Sequence, residues 1–153
     1  MSASASFVKS LLAQCCLGGI CEWVVCPGAR NMALLQVLAA AEDLVKWTHF
    51  DERSAAFFAL GRIQDMGLPV AVVTTSGTAA AELLPAVVEA YYERRPLLLL
   101  TADRPADYRG SAAPQAIEQA DLFGIYAPTI DLETPDSLPE DIQKIIDSEE
   151  IRT

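Results

Sequence analysis

Two apolar runs, Val70–Thr74 (VAVVT) and Leu97–Thr101 (LLLLT), set the architecture predicted for this chain. Neither run alternates apolar with polar residues, so both faces of each predicted strand should be covered. Strands of this kind are typical of a parallel sheet that is flanked by helices. The sequence therefore predicts the α/β class, with an open parallel sheet and helices on both of its faces.

Shorter apolar runs and helical patterns continue this alternation along the rest of the chain. Glycine marks the predicted ends of two helices, at Gly18-Gly19 and at Gly67, because a positive φ costs glycine little. Pro96 ends the fourth helix and directs the chain into a strand. We predict a single domain over residues 1–153. The predicted strands are 23–26, 47–50, 70–74, 97–101 and 125–131, and the predicted helices are 4–17, 31–42, 52–66, 78–94, 116–123 and 138–147.

Composition excludes several classes of function. The 153 residues are 52% hydrophobic and include 11 basic and 21 acidic side chains, for a formal net charge of −10. Such a charge repels nucleic acid and anionic membranes, and no apolar run reaches the roughly 20 residues that a membrane-spanning helix needs. The first residues lack the cleavage motif of a signal peptide. We therefore expect a cytoplasmic protein with no nucleic-acid partner and no membrane partner.

The cysteines and the single histidine do not predict a metal site. Cys15, Cys16, Cys21 and Cys26 form no C-x-x-C pair, which zinc and redox sites commonly use. We expect reduced, largely apolar thiols and no metal ligand in this chain. His49 has apolar neighbours and no second histidine, so packing is favoured over catalysis.

In an open parallel sheet, ligands bind beyond the carboxyl ends of the strands. Four loops are expected at that edge, namely residues 27–30, 51–53, 75–78 and 102–105. None of them carries the GxGxxG fingerprint of dinucleotide-binding domains or the GxxxxGK[ST] phosphate loop. The chain therefore lacks a phosphate cradle of its own.

For two residues of these loops, position alone does not decide between a functional and a structural role. Glu52 would point toward the other loops, but Asp51 is a good N-cap and the helix dipole favours an acidic residue in the first turn. At Gly77 the missing side chain would let a flat ligand approach the backbone. The alternative is that Thr75 or Ser76 simply caps a helix.

Three longer polar side chains are candidates for anion binding. Arg30 and Arg104 both follow strands, and a guanidinium group suits bidentate binding of carboxylates or phosphates. A lone arginine is usually solvated surface, but two at one edge of a chain with net charge −10 favour an anionic ligand. Gln115 can donate and accept hydrogen bonds, with a surface or capping position as the alternative.

These segments together carry a family resemblance that covers nearly the whole chain. Residues 27–30 (PGAR), 49–61 (HFDERSAAFFALG) and 75–79 (TSGTA) resemble the pyrimidine-binding, N-terminal domain of thiamine-diphosphate enzymes. Residues 100–105 (LTADRP) and 114–117 (PQAI) are narrower signals and resemble the transferases of menaquinone biosynthesis within that family.

The resemblance implies a role for each candidate residue. Glu52 matches the glutamate that hydrogen-bonds N1′ of the aminopyrimidine and favours the imino tautomer, whose nitrogen takes the proton from C2 of the thiazolium. Arg30, Arg104 and Gln115 match positions that contact the substrate or its cofactor adduct. The family reaction decarboxylates 2-oxoglutarate and adds the product to isochorismate. The implied cofactor-binding residues are Gly28, Glu52, Thr75, Ser76, Gly77 and Thr78.

The chain departs from the family pattern in two places. Ala29 and Asn31 flank Arg30 where the family usually has serine, which removes a possible hydrogen bond to the substrate. The sequence also lacks the Gly-Asp-Gly and Asn-Asn pair with which the family binds the diphosphate of thiamine diphosphate and its Mg2+.

The second departure predicts that this chain is a fragment of a longer multidomain enzyme, inactive by itself. The resemblance implies a homodimer or homotetramer whose active site forms between domains of two subunits. Two alternatives stay open. One is a stand-alone or split-enzyme module of the same fold, since fold does not imply function. The other is a different thiamine-diphosphate decarboxylase or synthase.

Overall fold

A computed structural model describes residues 3–132 of the chain. Four strands alternate with helices over most of this length, and two short 3-10 helices follow the last strand. The strands are β1 (Glu22–Val25), β2 (Val45–Thr48), β3 (Val70–Thr74) and β4 (Leu97–Thr101). The helices are α1 (Ala3–Leu17), α2 (Met32–Ala40), α3 (Glu52–Met66), α4 (Thr78–Ala81) and α5 (Leu84–Glu93), with 3-10 turns at Ala106–Tyr108 and Gly124–Tyr126.

The four strands form one sheet in the order β2-β1-β3-β4, and every pairing is parallel. Glu22 pairs with Val45 on one side and with Val70 on the other, so β1 lies inside the sheet. The chain passes from β1 to β2 in one direction and then crosses to β3 on the opposite side. The crevice beyond the carboxyl ends of β1 and β3 is thus the switch point at which ligands bind in sheets of this type.

The sheet separates two hydrophobic cores, which confirms the predicted α/β class with helices on both faces. On one face, α1 and α2 bury side chains such as Leu12 and Leu38 against Trp23 and Val25. On the other face, α3 and α5 bury a cluster that includes Ile63 and Leu83. Because β1 and β3 are covered on both faces, their residues are buried without alternation.

Local signals placed several element ends correctly. The α1 helix ends at Leu17, and Gly19 follows with a φ of 95°. Asp51 is the N-cap of α3 and its carboxylate accepts a hydrogen bond from Ser54 N at 2.7 Å. Gly67 ends the same helix with a φ of 68°. These are the conformations that glycine and aspartate adopt at low cost.

The helix predicted over residues 78–94 is wrong as a single element, since the structure has α4 and α5 with a break between them. Pro85 lies in the first turn of α5. Proline has no N–H to donate and its ring clashes with the preceding turn, so it is accepted at the start of a helix and not in its interior. The α5 helix then ends at Glu93, with Arg94 in the left-handed conformation before Pro96.

Two predictions after β4 are also wrong. Residues 116–123 form turns and irregular structure where a helix was predicted, and residues 125–131 contain the end of a 3-10 helix where a strand was predicted. Gln115 and Asp121 have positive φ values of 59° and 57°, which a continuous helix excludes. Tyr126 packs instead on Tyr91 of α5, with ring centroids 5.5 Å apart.

The remaining differences are small or lie elsewhere. The first two strands begin one and two residues earlier than predicted, at Glu22 and Val45, because these residues pair with each other. The helix predicted over residues 138–147 lies outside the described residues. No helix within residues 3–132 is both long enough and apolar enough to cross a membrane.

Candidate functional site

All four strands run in the same direction, so the loops that follow them meet at one edge of the sheet. This edge collects the loops after β2, β1, β3 and β4 in that spatial order. It therefore brings to one side of the sheet all the residues that the sequence singled out in the first four loops. Those residues are Gly28, Arg30, Glu52, Thr75, Ser76, Gly77, Thr78 and Arg104.

The loop after β1 is closed by Asn31, which is 1% exposed. Its side-chain oxygen accepts a hydrogen bond from Gly28 N at 2.9 Å, and its Nδ2 donates to Cys26 O at 2.9 Å. The amide thus satisfies two backbone groups across the loop. Arg30, beside it, is exposed. Asn31, which the sequence marked only as a departure, therefore shapes the loop that presents Arg30.

Gly28 lies where the β1 and β3 loops touch. A Cβ atom at this position would lie 2.5 Å from Cβ of Thr75 and 2.9 Å from its Oγ1. Real Cβ atoms do not approach other atoms this closely, so a side chain here would push the two loops apart. Gly28 therefore sets the separation of the loops on either side of the switch point.

Glu52 is the first residue of α3 and is half-buried. Its carboxylate has no hydrogen bond or ion pair with any residue between 3 and 132. Burial raises the pKa of the Cys26 thiol, which directly follows β1, to about 12. The carboxylates of Glu52 and Asp51 make a smaller contribution in the same direction. Glu52 is thus a carboxylate with free acceptor atoms beside an apolar wall.

The loop after β3 is almost entirely buried, including Thr75 and Ser76. Neither residue caps α4, because Gly77 is the N-cap and no side chain bonds the helix end. The Ser76 hydroxyl instead donates to Gln115 O at 3.1 Å. The capping alternative is therefore wrong. Thr78, the next residue, is exposed.

Backbone geometry and a close neighbour both require glycine at position 77. Its φ of 76° and ψ of −130° belong to a region that is open almost only to glycine. A Cβ there would lie 2.5 Å from Gln115 O. The space beside Gly77 is thus filled by protein, so a ligand cannot approach the backbone from that side.

Gln119 is a residue of this region that the sequence did not reveal. It is 7% exposed, and its Oε1 accepts a hydrogen bond from Gly77 N at 2.9 Å. Its Nε2 donates to Thr101 Oγ1 at 3.2 Å and to Ala102 O at 2.9 Å. A single glutamine in a segment predicted to be helical carries no local signal of such contacts. These contacts can be recognised only in the folded structure, where the β3 and β4 loops lie next to each other.

Arg104 lies three residues after β4, and contacts with neighbouring residues orient its side chain. Its Nη2 donates to Pro114 O, and its guanidinium carbon lies 5.9 Å from the centroid of the Tyr108 ring. Its Nε is buried and has no partner among residues 3–132. Its backbone N donates to Oδ1 of Asp103 at 2.7 Å, and Oδ2 of that residue lies 3.6 Å from Arg109. Arg104 thus keeps unused donors while it is held from two sides.

Gln115 and His49 have less direct positions. Gln115 is exposed with a φ of 59°, and it is its backbone oxygen that contacts the β3 loop. His49 is half-buried, with its ring 4.7 Å from that of Phe58. This packing agrees with the structural role predicted for His49.

The cysteines are free thiols. Burial raises the pKa of Cys15 to about 12, with a smaller contribution from Cys16. Both Cys15 and Cys26 therefore remain protonated at neutral pH, whereas nucleophiles and metal ligands are thiolates. Within residues 3–132 no three histidine, cysteine or acidic side chains come together as a metal site.

The residues at this edge fit a flat nitrogen heterocycle. Glu52 offers a half-buried carboxylate with open acceptor positions, and such a group can hold or exchange a proton on a ring nitrogen. The loops that contain Gly28 and Gly77 are closely packed at the same edge of the sheet. Arg30 and Arg104, in other loops of this edge, carry guanidinium groups that suit carboxylates. One edge of the sheet thus carries a carboxylate with open acceptor atoms and two guanidinium groups.

The family comparison agrees with this arrangement. Residues 7–122 match the family model described as thiamine pyrophosphate enzyme, N-terminal TPP binding domain. The chain belongs to this family. Thiamine pyrophosphate is the thiamine diphosphate that the sequence motifs implied, and the match covers every candidate residue of the site.

Three relatives of this chain share the name 2-succinyl-5-enolpyruvyl-6-hydroxy-3-cyclohexene-1-carboxylate synthase. The relative from Akkermansia muciniphila is 94% identical over 142 residues, which is 93% of this chain and 27% of the relative. The relative from Geobacillus thermodenitrificans is 51% identical over 133 residues, or 86% of this chain and 22% of the relative. That from Bdellovibrio bacteriovorus is 54% identical over 108 residues, or 71% and 20%. The chain thus spans about a quarter of the relatives' length or less.

Proposed function

We propose that this chain is the pyrimidine-binding part of a thiamine-diphosphate-dependent transferase of menaquinone biosynthesis. The complete enzyme would decarboxylate 2-oxoglutarate and add the resulting four-carbon unit to isochorismate. The observation that carries the proposal is the half-buried Glu52 carboxylate, which has open acceptor atoms at the switch-point edge. The 94% identity to a protein with the synthase name supports the choice of reaction.

Glu52 is the proton-handling group in this proposal. When bound, thiamine diphosphate would supply a carbon nucleophile for the carbonyl group of a 2-oxo acid and an electron sink for the bonding pair that remains when CO2 leaves. Glu52 would hold a proton at the ring nitrogen N1′ of the aminopyrimidine. The apolar residues around Cys26 would exclude water from this contact and so strengthen a hydrogen bond to N1′. Gly28 and Thr75 to Thr78 would form the sides of the cleft.

Arg30 and Arg104 would bind the carboxylates of the substrates, and Gln115 would add a neutral hydrogen bond. Both proposed substrates are anionic, while the chain has a net charge of −10. Local positive charge is therefore needed where the substrates bind. The guanidinium group of Arg104, which its contact with Pro114 O holds in place, would supply this charge to a substrate carboxylate.

We also propose that the groups absent from this sequence come from the rest of a longer polypeptide. That part of the polypeptide would bind the diphosphate and Mg2+. A second subunit, in a homodimer or homotetramer, would complete the active site. The free thiols of this chain suit the reducing cytoplasm.

Replacement of Glu52 by glutamine tests the proton-handling role. In the complete natural polypeptide that carries this sequence, we expect Glu52→Gln to reduce kcat at least about 100-fold with a modest change in KM, because glutamine cannot exchange the proton. Steady-state kinetics with 2-oxoglutarate and isochorismate measure this. Glu89→Gln, on the exposed side of α5, is the matched control and should leave kcat unchanged. A Glu52→Gln enzyme with normal turnover would rule out the proposed mechanism.

Replacement of Arg104 by alanine tests the anion site. We expect Arg104→Ala to raise KM for a carboxylate substrate by about 10-fold or more, since a charge-assisted hydrogen bond contributes about 1.5–3 kcal/mol. Arg104→Lys, which keeps the charge and loses the fork, should be intermediate. The control Arg95→Ala removes only a surface ion pair with Glu93. Unchanged KM for both substrates would contradict the role of Arg104, and activity with pyruvate instead of 2-oxoglutarate would favour a different decarboxylase.

A further inference from the structure

Gln119 is the only described side chain whose hydrogen bonds join the β3 loop to the end of β4. Its carboxamide is buried and fully engaged, with one accepted and two donated hydrogen bonds at 2.9–3.2 Å. The orientation of the amide is unambiguous. If it were reversed, its NH2 would face the N–H of Gly77 and its oxygen would face the carbonyl of Ala102.

The two segments that Gln119 joins carry different parts of the proposed site. Gly77 belongs to the Thr75–Thr78 loop, to which we assign the cofactor. Ala102 directly precedes Asp103 and Arg104, to which we assign the substrate. The strand pairing of β3 with β4 ends at Thr74 and Thr101, and the backbone bond from Ala102 N to Thr74 O comes just before the two loops diverge.

A second contact comes from the same segment. Ser76 Oγ donates to Gln115 O at 3.1 Å, and Gln115 O lies only 2.5 Å from the position that a Cβ of Gly77 would take. Residues 115–119 therefore lie across the β3 loop and hold it at two neighbouring positions. Of these residues, only Gln119 also hydrogen-bonds through its side chain to the end of β4. The geometry of the Gly77 backbone, with its φ of 76°, needs such support because few local interactions stabilise it.

We propose that Gln119 is a positioning residue that fixes the distance between the cofactor loop and the substrate arginine. The inference rests on the proposed function of the two loops. Gln119 acts through the N–H of Gly77 and the carbonyl of Ala102. Its amide oxygen and nitrogen are both occupied by hydrogen bonds within the protein. Its two ends act on different ligands. Its acceptor end holds the cofactor loop, and its donor end holds the start of the Arg104 loop.

Variants at this position separate the two ends. Gln119→Met has a similar length and removes both. Gln119→Glu keeps an acceptor for Gly77 N and places a carboxylate oxygen against Ala102 O, so it disturbs only the β4 side. Gln64→Met and Gln64→Glu make the same changes at an exposed position of α3 and serve as matched controls.

The measurements use the complete natural polypeptide that carries this sequence. Hydrogen exchange of the Gly77 amide without ligands reports on the acceptor end, calorimetric titration with thiamine diphosphate and Mg2+ reports on the cofactor, and KM for 2-oxoglutarate and isochorismate reports on the substrate side. Gln119→Met should speed exchange at Gly77 by about 10-fold, as expected for loss of a buried hydrogen-bond partner. It should also weaken cofactor binding and raise KM for at least one substrate, each by at least about 3-fold. Gln119→Glu should keep wild-type exchange at Gly77 and cofactor affinity while it raises KM.

The split between the two variants is the decisive result, because a general loss of packing would change all three readings together. Wild-type exchange, cofactor affinity and KM in Gln119→Met would overturn the inference. If Gln119→Met does not fold, Gln119→Glu decides, and a Gln119→Glu protein in which the three readings stay unchanged or change in parallel would overturn it. Failure of the wild-type protein to bind thiamine diphosphate would instead refute the proposed function, while the exchange of Gly77 would still report on the contact.

Discussion

Gly77 shows how a residue without a side chain shapes the site. The sequence left open whether its small size served a ligand or a helix cap, and the structure supports a third role. Its positive φ and the carbonyl oxygen of Gln115, 2.5 Å from where a Cβ would lie, both require glycine. The residue allows residues 115–119 to close against the β3 loop.

Replacement of Gly77 by alanine should therefore destabilise the domain. We expect Gly77→Ala to lower the free energy of unfolding by about 1–3 kcal/mol from backbone strain, with a further loss from the contact at 2.5 Å. Chemical denaturation measures the change. The control is Gly61→Ala within α3, where a Cβ meets nothing within 4 Å. That change should stabilise the protein by about 0.5–1 kcal/mol, because alanine favours helix, and a Gly77→Ala protein of equal stability would contradict the geometry.

At the scale of elements, α3 carries Glu52 at its first residue and is anchored near its other end by an ion pair whose carboxylate is buried. Arg62 donates from Nε and Nη2 to the two carboxylate oxygens of Glu22 at 2.9 Å and 2.8 Å. Trp47 Nε1 donates to the same carboxylate at 3.1 Å. One residue each from α3, β1 and β2 therefore meets at the edge of the sheet opposite the candidate site. This contact fixes how α3 lies across the strands.

This ion pair predicts a pH dependence of stability. The hydrogen bond from Arg62 holds the pKa of Glu22 below its ordinary value, against the opposing effect of burial, and Trp47 assists. A carboxyl with a lowered folded pKa contributes stability above its unfolded pKa of about 4.3, and this contribution is lost as the pH falls through the folded pKa. Glu22→Gln should lower stability at pH 7 and flatten its decline below about pH 4.3. Denaturant titrations between pH 7 and pH 2 measure both.

Asp65→Asn is the control for that experiment. Asp65 also contacts Arg62, at 3.0 Å, but its side chain is 71% exposed, and exposed pairs contribute little. Its substitution should leave the pH profile nearly unchanged. A Glu22→Gln protein with the wild-type pH profile would show that the buried pair does not determine the acid sensitivity.

At the scale of the whole molecule, one sheet divides two separate cores. Ile20 lies in the core under α1 and α2, and Ile63 lies in the core under α3 and α5. Both are nearly inaccessible, at 3% and 1% exposed. The strands between them belong to both cores, so the two faces should unfold together.

The isoleucine pair tests this expectation of a single domain. Ile20→Val and Ile63→Val should each cost about 0.5–1.5 kcal/mol. In the double variant the costs should add within about 0.5 kcal/mol, because the two side chains share no neighbours. Fluorescence and circular dichroism should report one coincident transition for each protein. Two separate transitions, each moved by only one of the substitutions, would contradict a single cooperative domain.

The α/β class, the bounds of β3 and β4 and the caps of α3 were predictable because each depends on a few consecutive residues. Continuous apolar runs indicate strands buried on both faces, and Asp51 and Gly67 mark a helix start and a helix end by their own backbone preferences. The four loops of the site followed from the fold class, since parallel strands end at one edge. The assignment of Glu52, Arg30, Arg104 and Gln115 to particular ligands remains a prediction.

The contacts that organise the site could not be predicted in this way, because they depend on segments far apart in sequence. Gln119 meets Gly77 and Ala102, and Glu22 meets Arg62, only after the sheet has assembled. Residues 116–123 have a helical pattern, yet hydrogen bonds to the β3 and β4 loops outweigh the small free-energy difference that local propensity supplies. Local preference thus specified the strands and the ends of helices, while the packing of distant loops specified the surroundings of Glu52 and Arg104.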